Sequence, residues 1–332
     1  MDHKLILKNI KSRKFEKIYL LHGEEPYYID LICDALMENV LEEHERDFNQ
    51  TIVYGKDVEL LSLISELKSY PMMCERRLVV LKEAQDFKKI DELDPYLESP
   101  ADTTVFVICH KYKTFDARKK GFKSAAKNGL VFKSEKVKEY QLSEWIQNYV
   151  KTLGYGITSK ASMLLVEFLG NDLSRIVNEI EKLTILIEEG ATINDVHIEE
   201  NIGISKDYNA YELTNAVSVK DAVKAFKIIQ YFEYNPKAAE LTSVVSNLFK
   251  LFANIMRIHF MPNKSREAIA QALGLHIYVA GEMLKARNYY DPRKIAANIE
   301  ILHEYDLKAK GVGNTSASEA ELMREMVFKL LH

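Results

Sequence analysis

The first 140 residues alternate short β-branched runs with helix-length stretches, and this alternation limits what the chain can fold into more than any single motif does. The runs KIYLLHG (17–23), QTIVYG (50–55), RLVVLKEA (77–84), TTVFVICH (103–110) and LVFKS (130–134) carry strand signals, while 26–44, 57–69, 90–98 and 115–128 have helical length. Parallel neighbours need a crossover of a dozen or more residues, and strands buried on both faces read as continuous apolar runs. The pattern predicts a parallel sheet covered by helices on both sides.

After Val137 the strand runs stop and the pattern turns helical. QLSEWIQNYVKTLG places Leu142, Trp145, Ile146 and Tyr149 on one face and ends at Gly154, a C-terminal cap. Trp145 reads as a packing anchor at the entrance to this region. Asp172 stands where an N-cap is needed for DLSRIVNEIEKL, and the small helical module runs to about Lys206. Amphipathic stretches then follow at 219–232, 237–260, 265–273, 276–287, 291–309 and 317–331, separated by YNPK, FMPNKS, NYYDPRK and KGVGNTSAS. The fold class is thus α/β plus all-α, in three parts: 1–139, 140–208 and 209–332.

Composition removes several function classes. Lys and Arg number 45 against 49 Asp and Glu, a formal charge of -4, so no global positive field favours a lone duplex binder. No stretch approaches the length of a membrane span and the N-terminal residues carry no leader pattern, so a cytoplasmic protein without a membrane partner is expected. Cys33, Cys74 and Cys109 read as reduced core thiols, and the scattered histidines give no metal-ligand spacing.

A sheet followed by a small helical module is the outline of a nucleotide-driven ATPase, which makes the phosphate loop the decisive test. GxxxxGK[ST] is required, because consecutive backbone N–H groups must wrap the phosphates. After the first strand the chain reads LLHGEEPYYID, with one glycine, two acids at the anion position and Pro26, which lacks an N–H. Gly55-Lys56 has Gln50 and Asp57 where the loop needs Gly and Ser or Thr. LVVL (78–81) ends in Lys82-Glu83, which puts a cation where a metal ligand belongs. No nucleotide, cofactor or metal is expected.

Seven segments, YLLHGEEPYYID, YPMMCERRLVVLKEA, DARKKGFKSAAKNG, LSEWIQNYVKTLGYGIT, GNDLSRIVNEIEKL, YNAYELTNAV and YDLKAKG, resemble in order and spacing the delta subunit of the bacterial DNA polymerase III clamp loader. The resemblance implies an AAA+-like sheet domain without ATPase activity, a small helical lid domain and a C-terminal helical collar that joins other subunits. It implies as partners the sliding clamp, the gamma/tau ATPase subunits and the delta-prime subunit, with primed DNA inside the assembled complex. The chain itself would catalyse nothing, although it would belong to a DNA-directed DNA polymerase holoenzyme.

In that family two adjacent bulky apolar residues before the third strand touch the clamp. They match Met72 and Met73, with Tyr70 and Pro71 preceding them, where family members often carry Leu-Phe or Phe-Phe. Read without the resemblance, the two Met side chains pad the core. Lys119, Lys123 and Lys127 stand at i, i+4 and i+8 opposite Phe115, Phe122 and Ala126, and form either a DNA-facing stripe or a solvated face. Two other readings stay open. One is an AAA+-like ATPase with a degenerate loop; the other is a DNA binder using REAIAQALGLHIYVAGEMLKAR (266–287), which imitates a helix-turn-helix but offers only Lys285 and Arg287 as cations in its second half.

Overall fold

Each strand run forms a strand in the computed structural model, which describes residues 2–202, 207–275, 277–314 and 316–332. They are β1 (Ile18–Gly23), β2 (Gln50–Tyr54), β3 (Arg77–Lys82), β4 (Thr104–Lys111) and β5 (Leu130–Ser134), paired in parallel in the order β2-β3-β4-β1-β5. β1 is buried at every position and β3 and β4 nearly so, which is why their sequences lack polar alternation. β2 lies at an edge and leaves Ile52 and Tyr54 exposed.

The two faces of the sheet are covered separately. Ile6 and Ile10 of the helix His3–Lys11, with Ile29, Ile32 and Leu36 of Pro26–Asn39, pack on Tyr19, Leu21, Val80 and Val107. On the opposite face Leu63 and Leu67 of Leu60–Lys68, together with Ala125 of Lys120–Asn128, pack on Ile18, Leu20, Val79 and Phe106. Cys33 and Cys109 are buried as expected, but Cys74 is only half-buried in a loop, where its Sγ donates to the Arg76 carbonyl at 3.1 Å.

Several boundaries differ from the sequence expectation. The helix His3–Lys11 was not anticipated; Asp2 caps it through Lys4 N–H. The helix expected to reach 44 stops at Asn39 and is followed by a 3₁₀ turn and a short helix, Arg46–Asn49. The helix expected from Phe115 begins at Lys120, because Asp116 binds the Arg118 N–H and guanidinium and turns the chain first. Its inward residues are Gly121, Ser124 and Ala125, whereas Ala126 points to solvent.

Contacts divide the chain into residues 1–137 and 138–332. The second unit is helical apart from β6 (Gly156–Ile157) and β7 (Thr192–Ile193), a parallel pair too short to show a period in sequence. Gly154, at φ +85°, follows the end of Glu139–Thr152, and Asp172 caps Leu173–Leu186 through Arg175 N–H. The buried stripe of Glu139–Thr152 is Leu142, Ile146 and Val150; Trp145 and Tyr149 stack on each other at its half-buried border. Residues from 210 to 331 build one large core around Leu241–Phe260, in which Tyr290 hydroxyl donates to the Val217 carbonyl at 2.6 Å and meets Phe252 edge-on. Among the described residues no helix is long and apolar enough to cross a membrane.

His22, near the end of β1, is 2% exposed and accepts the Phe115 N–H on Nδ1 at 3.1 Å. Burial first, then His110 and Lys133, lower its pKa from 6.5 to about 4. The unfolded chain therefore binds this proton more readily than the folded one, so stability falls as pH drops through 6.5 towards 4 and is unaffected by this group above 6.5. Urea unfolding followed from pH 7.5 to 4.5 is expected to show this loss, and His22→Gln is expected to make the slope shallower; an identical slope in the variant refutes the assignment.

Candidate functional site

In nucleotide-binding parallel sheets the ligand sits beyond the carboxyl ends of the strands, against the N–H groups that follow the first one. Here those groups are already used. Glu24 N–H and Glu25 N–H both donate to the Ser134 carbonyl, at 3.0 and 3.4 Å, and bind the end of β1 to the end of β5. Gly23 lies at φ +140°, and a Cβ there would stand 2.0 Å from the same oxygen, so only glycine allows this approach. The buried Glu25 carboxylate accepts Tyr27 N–H as N-cap of Pro26–Asn39 and supplies the negative charge that a phosphate would bring to a helix start.

The adjacent crevice is filled by the protein's own ions. Lys111 Nζ, at the end of β4, lies 2.7 Å from Asp30 Oδ1 and 3.3 Å from Glu83 Oε1. Burial alone would lower the ammonium pKa, but Asp30 and then Glu83 outweigh it and hold it raised. Glu83 follows β3 in left-handed backbone at φ 51°, with Gln85 bound to its carboxylate and Gln85 Oε1 accepting Lys111 N–H. Lys82 is the last residue of β3, and Lys111 at the end of β4, which the sequence did not single out, is a second cation at this end of the sheet.

At the amino ends of the strands the picture is reversed. The loop 69–76, between Leu60–Lys68 and β3, carries Tyr70 at 84% exposure, half-buried Pro71, Met72 at 56% and Met73 fully exposed. Met72 and Met73 are therefore not core padding. Met73 sits at φ 55°, a conformation that costs a non-glycine residue about 1–2 kcal/mol and persists only where neighbours enforce it. Asn49, 1% exposed, accepts Met72 N–H at 2.7 Å and donates to the Met72 carbonyl at 3.0 Å. At the base of the loop Arg77 binds Glu66 and Thr51, and the Arg76 guanidinium lies 5.5 Å from the centre of the Phe15 ring.

The lysine stripe is not uniform. Lys119 is the N-cap residue of Lys120–Asn128, pairs with Asp91 at 2.8 Å and lies over Phe115, whereas exposed Lys123 and Lys127 have no ion pair among the described residues. In the helix-turn-helix-like segment Arg266–Leu273 ends at Gly274, φ +64°, against the Tyr140 ring, and Ile269 and Ala280 pack with Ile258. Ile277–Ala286 carries Lys285 as its single cation, which is little for reading a groove. Sequence reasoning missed Asn49 and the exposed Phe48 beside it; nothing local in FNQ marks a side chain whose partners lie 23 residues later.

Comparison with known proteins completes the picture. Residues 19–135 match the family model "DNA polymerase III, delta subunit" and residues 207–328 match "DNA polymerase III delta subunit, C-terminal domain". The chain is 24% identical over 336 aligned residues to DNA polymerase III subunit delta of Bacillus subtilis, covering 97% of this chain and 94% of that protein. It is 22% identical to a probable DNA polymerase III subunit delta of Aquifex aeolicus, covering 64% and 63%. Its fold is similar to that of the solved Bacillus subtilis DNA clamp loader delta protein, with a TM-score of 0.57 at 22% identity and 99% of each chain covered. The two family models share the chain between its sheet unit and its C-terminal helices, and this chain belongs to the DNA polymerase III delta subunit family.

Proposed function

We propose that this delta-family chain is the non-hydrolysing clamp-loader subunit that binds the sliding clamp through Tyr70, Pro71, Met72 and Met73 and favours its opening, so that the ring is loaded onto primed DNA during replication. The observation that carries the proposal is a fully exposed Met73 held in strained backbone on a braced loop. Burying two Met side chains in an apolar pocket contributes roughly 3–6 kcal/mol before association costs, enough for a specific anchor. The resemblance stated from sequence supplies the partners: gamma/tau and delta-prime subunits meet residues 209–332 as a collar, 140–208 form a lid, and residues 1–139 reach the clamp. Its place is the cytoplasm, where a bacterial chromosome is copied.

A degenerate ATPase and a helix-turn-helix DNA binder are not favoured. The N–H groups an ATPase needs are bound to Ser134, and the helix a DNA reader needs has one cation.

Met72→Ala combined with Met73→Ala is expected to abolish capture of the sliding clamp while leaving assembly with the ATPase subunits intact; undiminished capture overturns the proposal. Titration calorimetry of the isolated chain with ATP and magnesium is expected to give no heat of binding, and a micromolar dissociation constant would contradict the account of the β1 loop. For the lysines, Lys123→Glu with Lys127→Glu is expected to reduce loading on primed DNA by the assembled complex and to flatten its salt dependence, with clamp capture unchanged. An unaltered salt slope assigns Lys123 and Lys127 to a solvated face.

A further inference from the structure

Resting on the clamp-binding reading above, we infer that Asn49 is the positioning residue of the anchor: its buried carboxamide fixes the Met72 backbone and thereby sets the direction in which Met73 projects. Asn49 ends the short helix Arg46–Asn49, immediately before β2. β2 pairs with β3, with Gln50 opposite Leu78, so the residue before β2 lies beside the start of β3 and the loop that leads into it. There the side chain imitates a strand neighbour.

A peptide group offers a pairing strand one donor and one acceptor, and the Asn49 carboxamide offers Met72 the same pair, Nδ2 to the carbonyl at 3.0 Å and Oδ1 to the N–H at 2.7 Å. Its second N–H donates to the Glu45 carbonyl at 3.0 Å, which fixes the carboxamide's orientation on its own helix. Both backbone polar groups of Met72 are thereby satisfied by one side chain. Met73, the next residue, takes φ 55° and is fully exposed.

Left-handed backbone at a methionine is unfavourable unless its surroundings impose it. Here the constraint acts from both sides. Asn49 holds Met72, and Cys74 Sγ donates to the Arg76 carbonyl just beyond Met73. Without Asn49, Met73 is free to leave this conformation. An anchor that is rigid before binding loses less freedom on association, so Asn49 acts on affinity through the Met pair while touching no partner itself.

The test is a double-mutant cycle on the full-length chain, with purified sliding clamp as the titrant. Asn49→Ala is expected to weaken clamp binding about tenfold or more. Adding Met72→Ala and Met73→Ala to it is expected to weaken binding much less than the same pair does in the otherwise unaltered chain. Backbone hydrogen exchange supplies the readout that general destabilisation would not reproduce: Met72 N–H is expected to lose protection in Asn49→Ala while Val80 and Val107 in the sheet keep theirs. Should the sheet lose protection too, Asn49→Ser, which removes the paired bonds to Met72 without placing a charge in this buried site, carries the same cycle.

Strictly additive losses, or clamp affinity unchanged with the Met72 amide deprotected, overturn the role of Asn49 and leave the clamp reading standing. Full clamp binding by the Met72→Ala, Met73→Ala chain removes the clamp reading itself, and the positioning role falls with it.

Discussion

The carbonyl of Ser134 accepts two hydrogen bonds, from Glu24 and Glu25, and the chemistry open to the N-terminal unit follows from that contact. A phosphate loop works because its N–H groups converge on empty space, where an anion is the best partner available. When a neighbouring strand end supplies the acceptor, the donors are satisfied within the fold, and phosphate would have to break bonds already made. Gly23 permits the close approach and Glu25 supplies the helix start with its negative charge. The sheet has the parallel layout that can hold a nucleotide, but the N–H groups after its first strand are closed on Ser134.

The same closure recurs one strand away. Lys111 brings a positive charge into the crevice and Asp30 and Glu83 balance it, so the space beyond β3 and β4 holds a completed ion cluster. Glu83 is held in left-handed backbone for that purpose, with Gln85 tying its carboxylate to the β4 end. The N–H groups that follow β1 and the ions beyond β3 and β4 therefore have partners within the chain, whereas the apolar side chains of the loop before β3 do not. Tyr70, Met72 and Met73 are exposed on a loop whose backbone is held at Met72 by Asn49. On the proposed reading, this exposed methionine in an unfavourable conformation is the part of the loop that meets the clamp.

How much of this was legible in sequence depended on the range of the interactions. β1, β3 and β4 were readable because each is buried on both faces and apolar over most of its length, and the edge strands β2 and β5 were readable from their β-branched and aromatic residues, both local properties. Asp172 as an N-cap and Gly154 as a helix terminator were readable for the same reason. Loss of the phosphate loop was readable from its residues, but Ser134 as the acceptor lies 110 residues on from Glu24, at the end of the neighbouring strand β5. Asn49 and Lys111 escaped notice because each finds its partners through strand pairing. The late start of Lys120–Asn128 was missed because the Asp116–Arg118 turn competes with helix in a stretch whose composition favours helix. β6 and β7 have two residues each, and no periodicity can be read from two.

A methionine pair on a rigid loop divides the work of recognition between backbone and side chain. On the proposed reading the backbone fixes where the anchor points, through the hydrogen bonds between Asn49 and Met72, and the unbranched thioether side chains adjust to the pocket they enter. An aromatic pair would bury more area but would demand a pocket of matching shape. A subunit that must engage a ring and later let it go has reason to combine a pre-set direction with an adaptable surface, because preorganisation reduces the entropy lost on contact while the compliant side chains keep the contact from becoming too strong to release. On the proposed reading, the burden of specificity falls on the loop geometry that Asn49 and the base of β3 impose, and the methionines supply apolar area to whatever that geometry selects.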